Sequence, residues 1–428
     1  MNQQASDWNS KVEHAAGSHV GLRRSNNQDA FAAIPAGGRE SFLERGHLFL
    51  VADGMGAHAA GELASKMAAD LVPLSYQKLR QLPIPRALRA AVEEANARIH
   101  HRGQASDDFR GMGTTVSCLV LGPCGGVIGH VGDSRVYRLR GTTIEQLTFD
   151  HSLLWELRAT GQVSHADAAE FIPRNVITRS LGPSAEVQVD IEGPFPVEPG
   201  DVFLLCSDGL SGQLTDAEMG MVVASLPPAE AVQALIDLAN LRGGPDNITV
   251  VVVRAAGRLD GARPEEPPPA EPASTWPLAL WGLAGFLLLA GLAAFVFDLW
   301  LLGIVGLLLA AVAALLGLSL RDAASREGPV AEFSAGRGPY AAADCRPERS
   351  FVATLADVTR QLREAAVDGG WSVAWDRFDA LATAAEAAAK EHEYSRAVGE
   401  YCRAISFMMS ELRHQPRPPA GGNPISMG

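Results

Sequence analysis

Residues 48–54 read Leu48-Phe49-Leu50-Val51-Ala52-Asp53-Gly54, an apolar run of strand length that ends on a carboxylate and a glycine. Three further aspartates, Asp133, Asp208 and Asp246, also lie next to apolar, strand-like runs. Carboxylates fixed at the ends of buried strands suit a cluster of hard oxygen ligands for Mg²⁺ or Mn²⁺. One such aspartate would more often be a turn residue. Four in succession predict instead that distant strand ends meet at a metal site.

Composition limits the class of protein. The chain has 428 residues, enough for two or three domains, and a net charge of -13. An acidic chain without a dense cluster of lysine and arginine is not expected to bind nucleic acid. The five cysteines are scattered and form no Cys-x-x-Cys pair, so neither a zinc site nor a disulfide framework is expected. The polar first ten residues predict no secretory signal peptide.

Short apolar strands and amphipathic helices alternate irregularly from about residue 15 to 256. The predicted strands cover residues 48–52, 115–121, 127–131, 136–139, 202–206 and 248–253. The predicted helices cover residues 61–79, 85–101 and 229–241. Because the strands come in groups, the pattern favours an α+β fold with antiparallel sheets over a doubly wound parallel sheet.

The composition changes after residue 256. Residues 257–276 are rich in Pro and Glu and predict an extended linker. Residues 277–320 are apolar apart from Asp298, and they are long enough to cross a bilayer twice at about 20 residues per crossing. We therefore predict a two-helix transmembrane hairpin with Asp298 at its tip. A buried soluble hairpin is the alternative, but neither helix has a polar stripe. Arginines flank the hairpin and none lies at its tip, so both flanks are expected in the cytoplasm.

The last part of the chain predicts an all-α segment. A second linker, residues 321–349, leads to helical residues 350–414 and a flexible tail, residues 415–428. Small residues are spaced so that two of the helices could approach closely, as in a tetratricopeptide pair. Only one repeat matches, and ordinary packing of a helical hairpin explains the pattern equally well.

A series of short motifs accompanies the aspartates. In chain order they are Arg24-Ser25-Asn26-Asn27-Gln28-Asp29, Asp53-Gly54-Met55-Gly56, Gly111-Met112-Gly113-Thr114-Thr115, Gly129-His130-Val131-Gly132-Asp133-Ser134-Arg135, Thr148-Phe149-Asp150-His151-Ser152, Thr178-Arg179-Ser180-Leu181-Gly182, Ser207-Asp208-Gly209 and Gly244-Pro245-Asp246-Asn247. This set resembles the metal-dependent type 2C (PPM) family of protein serine/threonine phosphatases in its bacterial form. The resemblance covers nearly all of residues 15–256. It implies that residues 1–256 form a catalytic domain with an α-β-β-α sandwich of two antiparallel sheets flanked by helices.

The same resemblance implies a site for two Mn²⁺ or Mg²⁺ ions, with a possible third. Asp53 would bridge the two ions, and the Gly54 carbonyl would be a further ligand, since glycine lets the backbone come close. Asp208 and Asp246 would complete the ligands of the first ion. Asp29 would hold the second, directly or through water. Two such ions neutralise the phosphoryl oxygens and activate a water for attack on phosphorus, so no nucleophilic side chain is needed.

Two further residues take their roles from the resemblance. Asp133 matches an aspartate that binds a third, weaker ion in bacterial members. Arg24 matches the arginine that binds the phosphate, because a guanidinium can reach two phosphoryl oxygens at once. Arg23 is an adjacent competitor, and only the spacing to Asp29 favours Arg24. For His58 a structural role is at least as good an interpretation as a catalytic one.

Residues 148–182 match a segment that forms a mobile flap beside the site in this family, and His151 and Ser152 at its start are interpreted as structural. The stretch Phe171-Ile172-Pro173-Arg174 lacks the histidine that often precedes the proline there. This difference leaves the substrate preference open.

The expected function is hydrolysis of phosphoserine and phosphothreonine on bacterial cytoplasmic proteins by an integral-membrane phosphatase that opposes Ser/Thr kinases. The expected partners are phosphorylated proteins and those kinases, the lipid bilayer through residues 277–320, and a protein bound by the C-terminal helices. The expected location is the inner membrane, with the catalytic domain and tail in the cytoplasm. Two alternatives stay open: a catalytically silent membrane scaffold or sensor, and a phosphatase of small molecules.

Overall fold

The computed structural model describes most of the chain outside the predicted hairpin and its linkers. The described residues are 11–57, 59–161, 176–259, 285–290, 292–293, 299–301, 304–305, 307–311 and 338–413. The chain divides into two compact units, of which one comprises residues 1–261 with 335–428 and the other residues 262–334. The predicted catalytic and C-terminal segments therefore belong to the same unit.

Six strands form the first antiparallel sheet of the larger unit. In spatial order they are β1 (Val12–His19), β11 (Ile248–Ala255), β10 (Val202–Cys206), β7 (Arg135–Arg140), β8 (Thr143–Gln146) and β12 (Ala341–Asp344). The central strands β10 and β11 are rich in valine and leucine and are buried along nearly their whole length. Side chains of this kind fit a pleated surface that is covered on both faces.

The second antiparallel sheet has six strands, five of which lie side by side across it. In spatial order they are β2 (Asp29–Ile34), β3 (His47–Met55), β5 (Val116–Gly122), β6 (Gly125–Val131) and β9 (Asp190–Phe195). A two-residue strand, β4 (Gly113–Thr114), pairs with the end of β3. The end of β3 that carries Asp53 is held on both sides, because β2 pairs with it as far as Asp53 and β4 pairs with the next two residues.

The two sheets pack face to face through alternate residues of their strands. Phe49 and Val51 of β3 join Phe203 and Leu205 of β10 in one buried cluster. The intervening residues of β3 point to the other face, where Leu48 and Leu50 join a cluster formed with helices. Successive side chains of a strand alternate between faces. The unbroken apolar run of β3 is therefore the signature of a strand covered on both sides.

Helices cover both outer faces. Those beside the second sheet are α1 (Arg39–Arg45), α2 (Ala60–Lys78) and α3 (Ile84–Gln104). Two short helices, α4 (Leu153–Ala159) and α5 (Asp208–Ser211), lie in connections near the strand ends, and α6 (Asp216–Ser225) and α7 (Pro228–Leu241) cover the first sheet. The prediction of an α-β-β-α sandwich with two antiparallel sheets is confirmed.

Three C-terminal helices extend the layer of α6 and α7. They are α8 (Arg349–Asp368), α9 (Trp375–Lys390) and α10 (Tyr394–Arg413), and their apolar side chains belong to the same buried cluster as those of α6 and α7. Ion pairs from Arg403 to Glu230 and from Arg413 to Asp237 fasten α10 to α7. The C-terminal helices thus share a core with the sandwich. A protein partner for them stays a prediction.

The linker predicted at residues 321–349 differs from the structure at its end. Residues 341–344 form strand β12, and α8 already begins at Arg349. The sequence Ala341-Ala342-Ala343 has none of the β-branched or aromatic residues that favour strands. Its strand conformation comes from pairing with β8, a contact between parts of the chain far apart in sequence.

The predicted transmembrane hairpin, residues 277–320, is not supported by the structure. Within the described residues there is no helix with enough length and apolar character to cross a membrane. Much of the predicted hairpin lies outside the described residues, which include only short helical pieces between residues 285 and 311. The hairpin therefore stays a prediction from the sequence, together with the linker at residues 257–276 and the tail at residues 415–428.

Candidate metal centre

Asp29 and Asp53 lie opposite each other on neighbouring strands. Asp53 is near the end of β3, Asp29 begins β2, and the two residues are direct partners in the antiparallel register. Directly opposed residues place their side chains on the same face. The Ser207 hydroxyl, at the end of β10 in the other sheet, donates to Oδ2 of Asp29 over 2.7 Å. The first two carboxylates are thus held where the two sheets meet.

Asp208 and Asp246 come to this place from the first sheet. Asp208 is the first residue of α5, two residues after the end of β10, and its charge helps to raise the pKa of Asp53. Asp246 lies just before β11, where its Oδ1 accepts the backbone N–H of Asn247 over 2.8 Å. The Asn247 side-chain oxygen in turn accepts the N–H of Gln28, next to Asp29, over 2.8 Å. This asparagine therefore joins the loops that carry Asp29 and Asp246.

Asp133 forms the fifth member of the group. It lies in the turn between β6 and β7 and is buried. Gly132 before it has φ +113°, and a Cβ there would meet the Thr115 side chain at 2.5 Å, so the turn needs glycine. The charge of Asp133 acts on Asp53, and that of Asp208 acts on Asp133. The structure thus brings together all five predicted aspartates.

Burial and mutual repulsion raise the pKa values of four of these carboxyls. Burial, followed by the charges of Asp29 and Asp208, raises the pKa of Asp53 well above its usual range. Burial raises the pKa of Asp29 to about 7 and that of Asp133 to about 8. Burial, followed by the charge of Asp246, raises that of Asp208. Such shifts indicate buried negative charge without enough positive charge to balance it.

Three of the carboxylates also carry a buried oxygen without a hydrogen-bond partner. These oxygens are Oδ1 of Asp29, Oδ1 of Asp133 and Oδ1 of Asp208. A buried polar atom without a partner is costly in a folded protein. Carboxylate oxygens are the ligands that Mg²⁺ and Mn²⁺ prefer. The residues present therefore fit divalent cations.

The predicted ligands do not surround a common point as they would around a bound metal ion. Across the described residues, no group of three His, Cys, Asp or Glu side chains is arranged as it would be around a metal ion. Ionised carboxylates at close range repel one another, so we expect the set to close only when cations neutralise it. The roles of Asp29, Asp53, Gly54, Asp133, Asp208 and Asp246 as ligands stay predictions.

The glycines after Asp53 and Asp208 have a packing role that the sequence did not indicate. A Cβ at Gly54 would lie 2.2 Å from the backbone oxygen of Gly61, and one at Gly209 would lie 1.9 Å from that of Asn247. Both glycines are therefore required because another part of the backbone crosses directly over them. A metal-facing carbonyl at Gly54 is a separate prediction.

Arg24 lies at the rim of the cluster. Its Nη2 donates to Oδ2 of Asp246 over 2.8 Å, and its side chain is 53% exposed. This hydrogen bond, with the charges of Asp246, Asp53 and Asp208, raises the pKa of Arg24. The adjacent Arg23 has no such contact with the aspartates. The structure therefore favours Arg24 over Arg23 as the cation nearest the cluster.

A cavity of about 280 Å³ opens beside Asp133 and Asp208, and Arg135, Asp150 and Trp155 form part of its wall. Arg135 Nη2 donates to Oδ2 of Asp150 over 2.7 Å. Neither Arg135 nor Asp150 was predicted to have a role at the site. Their only signal was their place inside quoted motifs. His58 and residues 162–175 of the predicted flap lie outside the described residues.

Five carboxylates around the junction of two antiparallel sheets, with an arginine at the rim, fit the site predicted for a metal-dependent hydrolase. Comparison with known proteins gives the family. The sequence pattern of the family described as protein phosphatase 2C matches residues 17–240. The chain belongs to this family.

Curated relatives and solved structures agree with that assignment. A putative protein phosphatase 2C-type of Streptococcus pyogenes is 38% identical over 240 residues, which cover 55% of this chain and 94% of the relative. The serine/threonine phosphatase stp of Listeria welshimeri is 39% identical over 48% of this chain and 83% of its own length. The serine/threonine phosphatase PstP/Ppp of Mycobacterium tuberculosis has a TM-score of 0.51, with 34% identity over 57% of this chain and 98% of that one. The predicted enzyme class, a protein serine/threonine phosphatase, is confirmed. The predicted cofactor class, Mn²⁺ or Mg²⁺, is confirmed with the family.

The pKa shifts predict how stability depends on pH when divalent cations are removed. The folded-state values of Asp29 and Asp133, about 7 and about 8, exceed the value of about 3.9 for an unfolded chain. The folded protein therefore binds more protons between these limits. The resulting stabilisation is complete below pH about 4 and is lost as the pH rises through the folded-state values.

In EDTA we expect calorimetry to give a lower Tm at pH about 8 than at pH about 5. The Asp29→Asn variant should show a smaller decrease, because one of the titrating groups is gone. A Tm in EDTA that rises between these two pH values would contradict the account of the buried carboxyls.

Proposed function

We propose that the protein hydrolyses phosphoserine and phosphothreonine on other proteins at the aspartate cluster, and so opposes the Ser/Thr kinases of a bacterial cell. One observation carries the proposal: buried carboxylates from both sheets come together with raised pKa values and oxygens that lack partners. The relatives of similar sequence are named as serine/threonine phosphatases. Neither the intact cluster nor these relatives support a catalytically silent scaffold.

In this proposal Asp53, Asp208 and Asp246 hold the first ion, and Asp53 with Asp29 holds the second. Asp133 holds a third, weaker one. Bound Mn²⁺ or Mg²⁺ supplies positive charge for the phosphoryl oxygens and lowers the pKa of a water. The chain itself supplies the orientation of these carboxylates. The Ser207 hydroxyl fixes the Asp29 carboxylate over 2.7 Å.

Arg24 would bind the phosphoryl group. One of its nitrogens is engaged by Asp246, and the guanidinium has further N–H donors for an incoming phosphate. Its exposure lets a phosphorylated side chain reach it from solvent. Asp246 would therefore serve both to hold a cation and to aim the arginine.

The two buried cysteines of the sandwich, Cys118 and Cys206, are not suited to act as a nucleophile in place of water. Cys206 is the cysteine nearest in sequence to the aspartate cluster, two residues before Asp208, and it is buried. Burial raises the pKa of its thiol to about 12, so it is not a thiolate at neutral pH. Cys118 is also buried, and burial raises the pKa of its thiol. These thiols support a mechanism without a covalent phosphoenzyme.

The direct test uses the full chain and phosphopeptides. Phosphate release from phosphoserine and phosphothreonine peptides should require Mn²⁺ or Mg²⁺ and should stop in EDTA. A phosphotyrosine peptide and small phosphate esters, assayed in parallel, would show whether the substrate class is broader. Undiminished hydrolysis of the peptides in EDTA would contradict the proposal.

Loss of Arg24 should weaken substrate binding. We expect Arg24→Ala to raise KM for a phosphopeptide by about 10- to 100-fold, the effect of a lost hydrogen bond between charged groups. Arg24→Lys should recover part of the loss, since it keeps the charge but not the planar fork. Arg23→Ala is the matched control, and its steady-state KM should equal that of the wild type. Equal KM values for the two alanine variants would argue against the role of Arg24.

We also propose, from the sequence, that residues 277–320 attach the protein to the cytoplasmic membrane with both flanks in the cytoplasm. Several large apolar side chains in the described pieces are exposed, including Phe286, Leu289 and Leu301, which is 81% exposed. Deleting residues 277–320 should move the protein from the membrane fraction to the soluble fraction of cells. A full chain found only in the soluble fraction would contradict this proposal.

A further inference from the structure

The segment that follows the smaller unit returns to the phosphatase sandwich and joins its two sheets. We call residues 338–345 the clamp. Strand β12 of the clamp pairs with β8 at the edge of the first sheet. The backbone N–H of Tyr340 donates to the oxygen of Gln146 over 2.8 Å. The Tyr340 hydroxyl donates to Oε1 of Glu192, on β9 of the second sheet, over 2.6 Å.

The aromatic ring of Tyr340 contacts the start of the predicted flap. It packs edge to face on Phe149, with ring centroids 5.5 Å apart and an interplanar angle of 67°. On another side, Phe149 packs edge to face with Trp155, also at 5.5 Å. Aromatic pairs in this geometry stabilise beyond the area they bury. Phe149 is therefore held between the clamp and α4.

The two residues after Phe149 hold the turn that carries Asp133. Asp150 accepts two hydrogen bonds from the guanidinium of Arg135, at 2.9 Å and 2.7 Å to its Oδ2. Nδ1 of the His151 ring accepts the backbone N–H of Gly132 over 2.9 Å. The backbone N–H of His151 donates to the backbone oxygen of Gly132 over 2.7 Å. The turn is thus fastened on both sides of Asp133.

A second route leads from the clamp to the same turn. Strand β12 pairs with β8 up to Gln146, which is buried at the end of β8. The Gln146 side chain donates to the backbone oxygen of Thr148 over 2.9 Å and to Oδ1 of Asp150 over 2.8 Å. Pairing of β12 therefore restricts the residue whose amide aligns Asp150 with Arg135.

We propose that Tyr340 is a positioning residue for this phosphatase, which acts through Phe149, Asp150 and His151 on Asp133. The clamp lies outside the part of the chain that matches the family pattern, residues 17–240. It gives the C-terminal segment a role at the metal site in place of, or besides, partner binding. The proposal rests on the proposed function in one respect, the assignment of Asp133 as a ligand of the weakest-bound ion.

The test uses the full chain carrying Tyr340→Ala. Calorimetry measures its Mn²⁺ binding, and a parallel assay measures phosphopeptide hydrolysis as a function of Mn²⁺ concentration. Tyr340→Ala removes the edge-to-face contact and the hydroxyl. We expect the weakest Mn²⁺ binding step to become about three- to tenfold weaker, and the Mn²⁺ concentration for half-maximal activity to rise by the same factor. Tyr340→Phe keeps the ring, and the binding constant should change by less than about threefold.

The matched control is Tyr394→Ala, the same truncation in the C-terminal helices, where the tyrosine contacts His392 instead of the flap. It should bind Mn²⁺ as the wild type does. Thermal unfolding in EDTA shows whether each variant is folded. If Tyr340→Ala is not, Tyr340→Leu replaces it, because leucine keeps bulk but lacks the ring and hydroxyl.

Folded Tyr340→Ala or Tyr340→Leu protein with every Mn²⁺ binding step unchanged would overturn the positioning role. If Tyr340→Phe loses as much Mn²⁺ affinity as Tyr340→Ala, the Tyr340 ring does not act on Asp133 through its contact with Phe149. Failure of the proposed function is seen separately: the wild type would then bind Mn²⁺ but release no phosphate from phosphopeptides.

Discussion

Replacing Asp53 by asparagine should reduce phosphopeptide hydrolysis by about a thousandfold or more, because charge stabilisation by a metal site contributes several kcal/mol to the transition state. Asp53 lies nearest the centre of the cluster, since it is the opposed partner of Asp29 and its pKa is raised by the charges of all four other aspartates. Asparagine has nearly the same shape but cannot supply a charged bridging carboxylate. Initial rates at saturating Mn²⁺ give the measurement.

The same substitution should stabilise the protein in the absence of metal. Burial and the charges of the four other aspartates raise the pKa of the Asp53 carboxyl, so at pH about 8 the folded protein must either bind a proton there or hold a repelled charge. Asparagine removes this cost, and the Tm of Asp53→Asn in EDTA at that pH should exceed that of the wild type. Asp237→Asn is the control, because Asp237 is also buried but pairs with Arg413 on α10. It should keep its activity. An Asp53→Asn variant that is folded and nearly as active as the wild type would contradict the bridging role.

Replacing Ile405 by alanine should destabilise the whole phosphatase unit by about 2–5 kcal/mol, the usual cost of removing a buried isoleucine side chain. Ile405 lies in α10 and is fully buried in the cluster that α10 shares with α6 and α7. If the C-terminal helices and the sandwich unfold together, Ile405→Ala should lower two temperatures by the same amount. They are the temperature at which phosphatase activity is lost and the temperature at which the helical signal is lost. Thermal denaturation followed by both signals gives the comparison.

Val367→Ala is the control for Ile405. Val367 lies in α8 but is 58% exposed, so its truncation should change stability by less than about 0.5 kcal/mol. Activity that survives to the wild-type temperature in Ile405→Ala, while the helical signal falls earlier, would show that the C-terminal helices unfold on their own. That outcome would contradict a shared cooperative core.

Much of the sandwich could be predicted because its strands are apolar on both faces. Residues 48–52 are buried between helices on one face and the other sheet on the opposite face, so every side chain in this run is apolar. Strands with half-exposed or polar residues gave no such signal. Strand β1 (Val12–His19) contains Glu13, His14 and Ser18, and it is a strand because it pairs with β11.

The aspartates could be predicted as a set, but their supports could not. Asp53, Asp133, Asp208 and Asp246 each follow or precede an apolar strand-like run, so strand ends indicated where they lie, whereas Asp29 was indicated only by its motif and the family resemblance. Ser207, Asn247 and Asp150 support the cluster through hydrogen bonds across 178, 219 and 15 residues of sequence. Contacts of that kind depend on how the two sheets are placed, which no local pattern contains. The clamp at residues 338–345 was missed for the same reason.

Hydrolysis of phosphate esters by this protein requires aspartates from both sheets to hold divalent cations together. X-ray diffraction from Mn²⁺-soaked crystals, recorded at the manganese absorption edge, would locate those cations. We expect anomalous peaks within coordination distance of Asp53, with Asp208 and Asp246 on one ion and Asp29 beside another. Manganese peaks only elsewhere, with the five aspartates left without a metal, would contradict it.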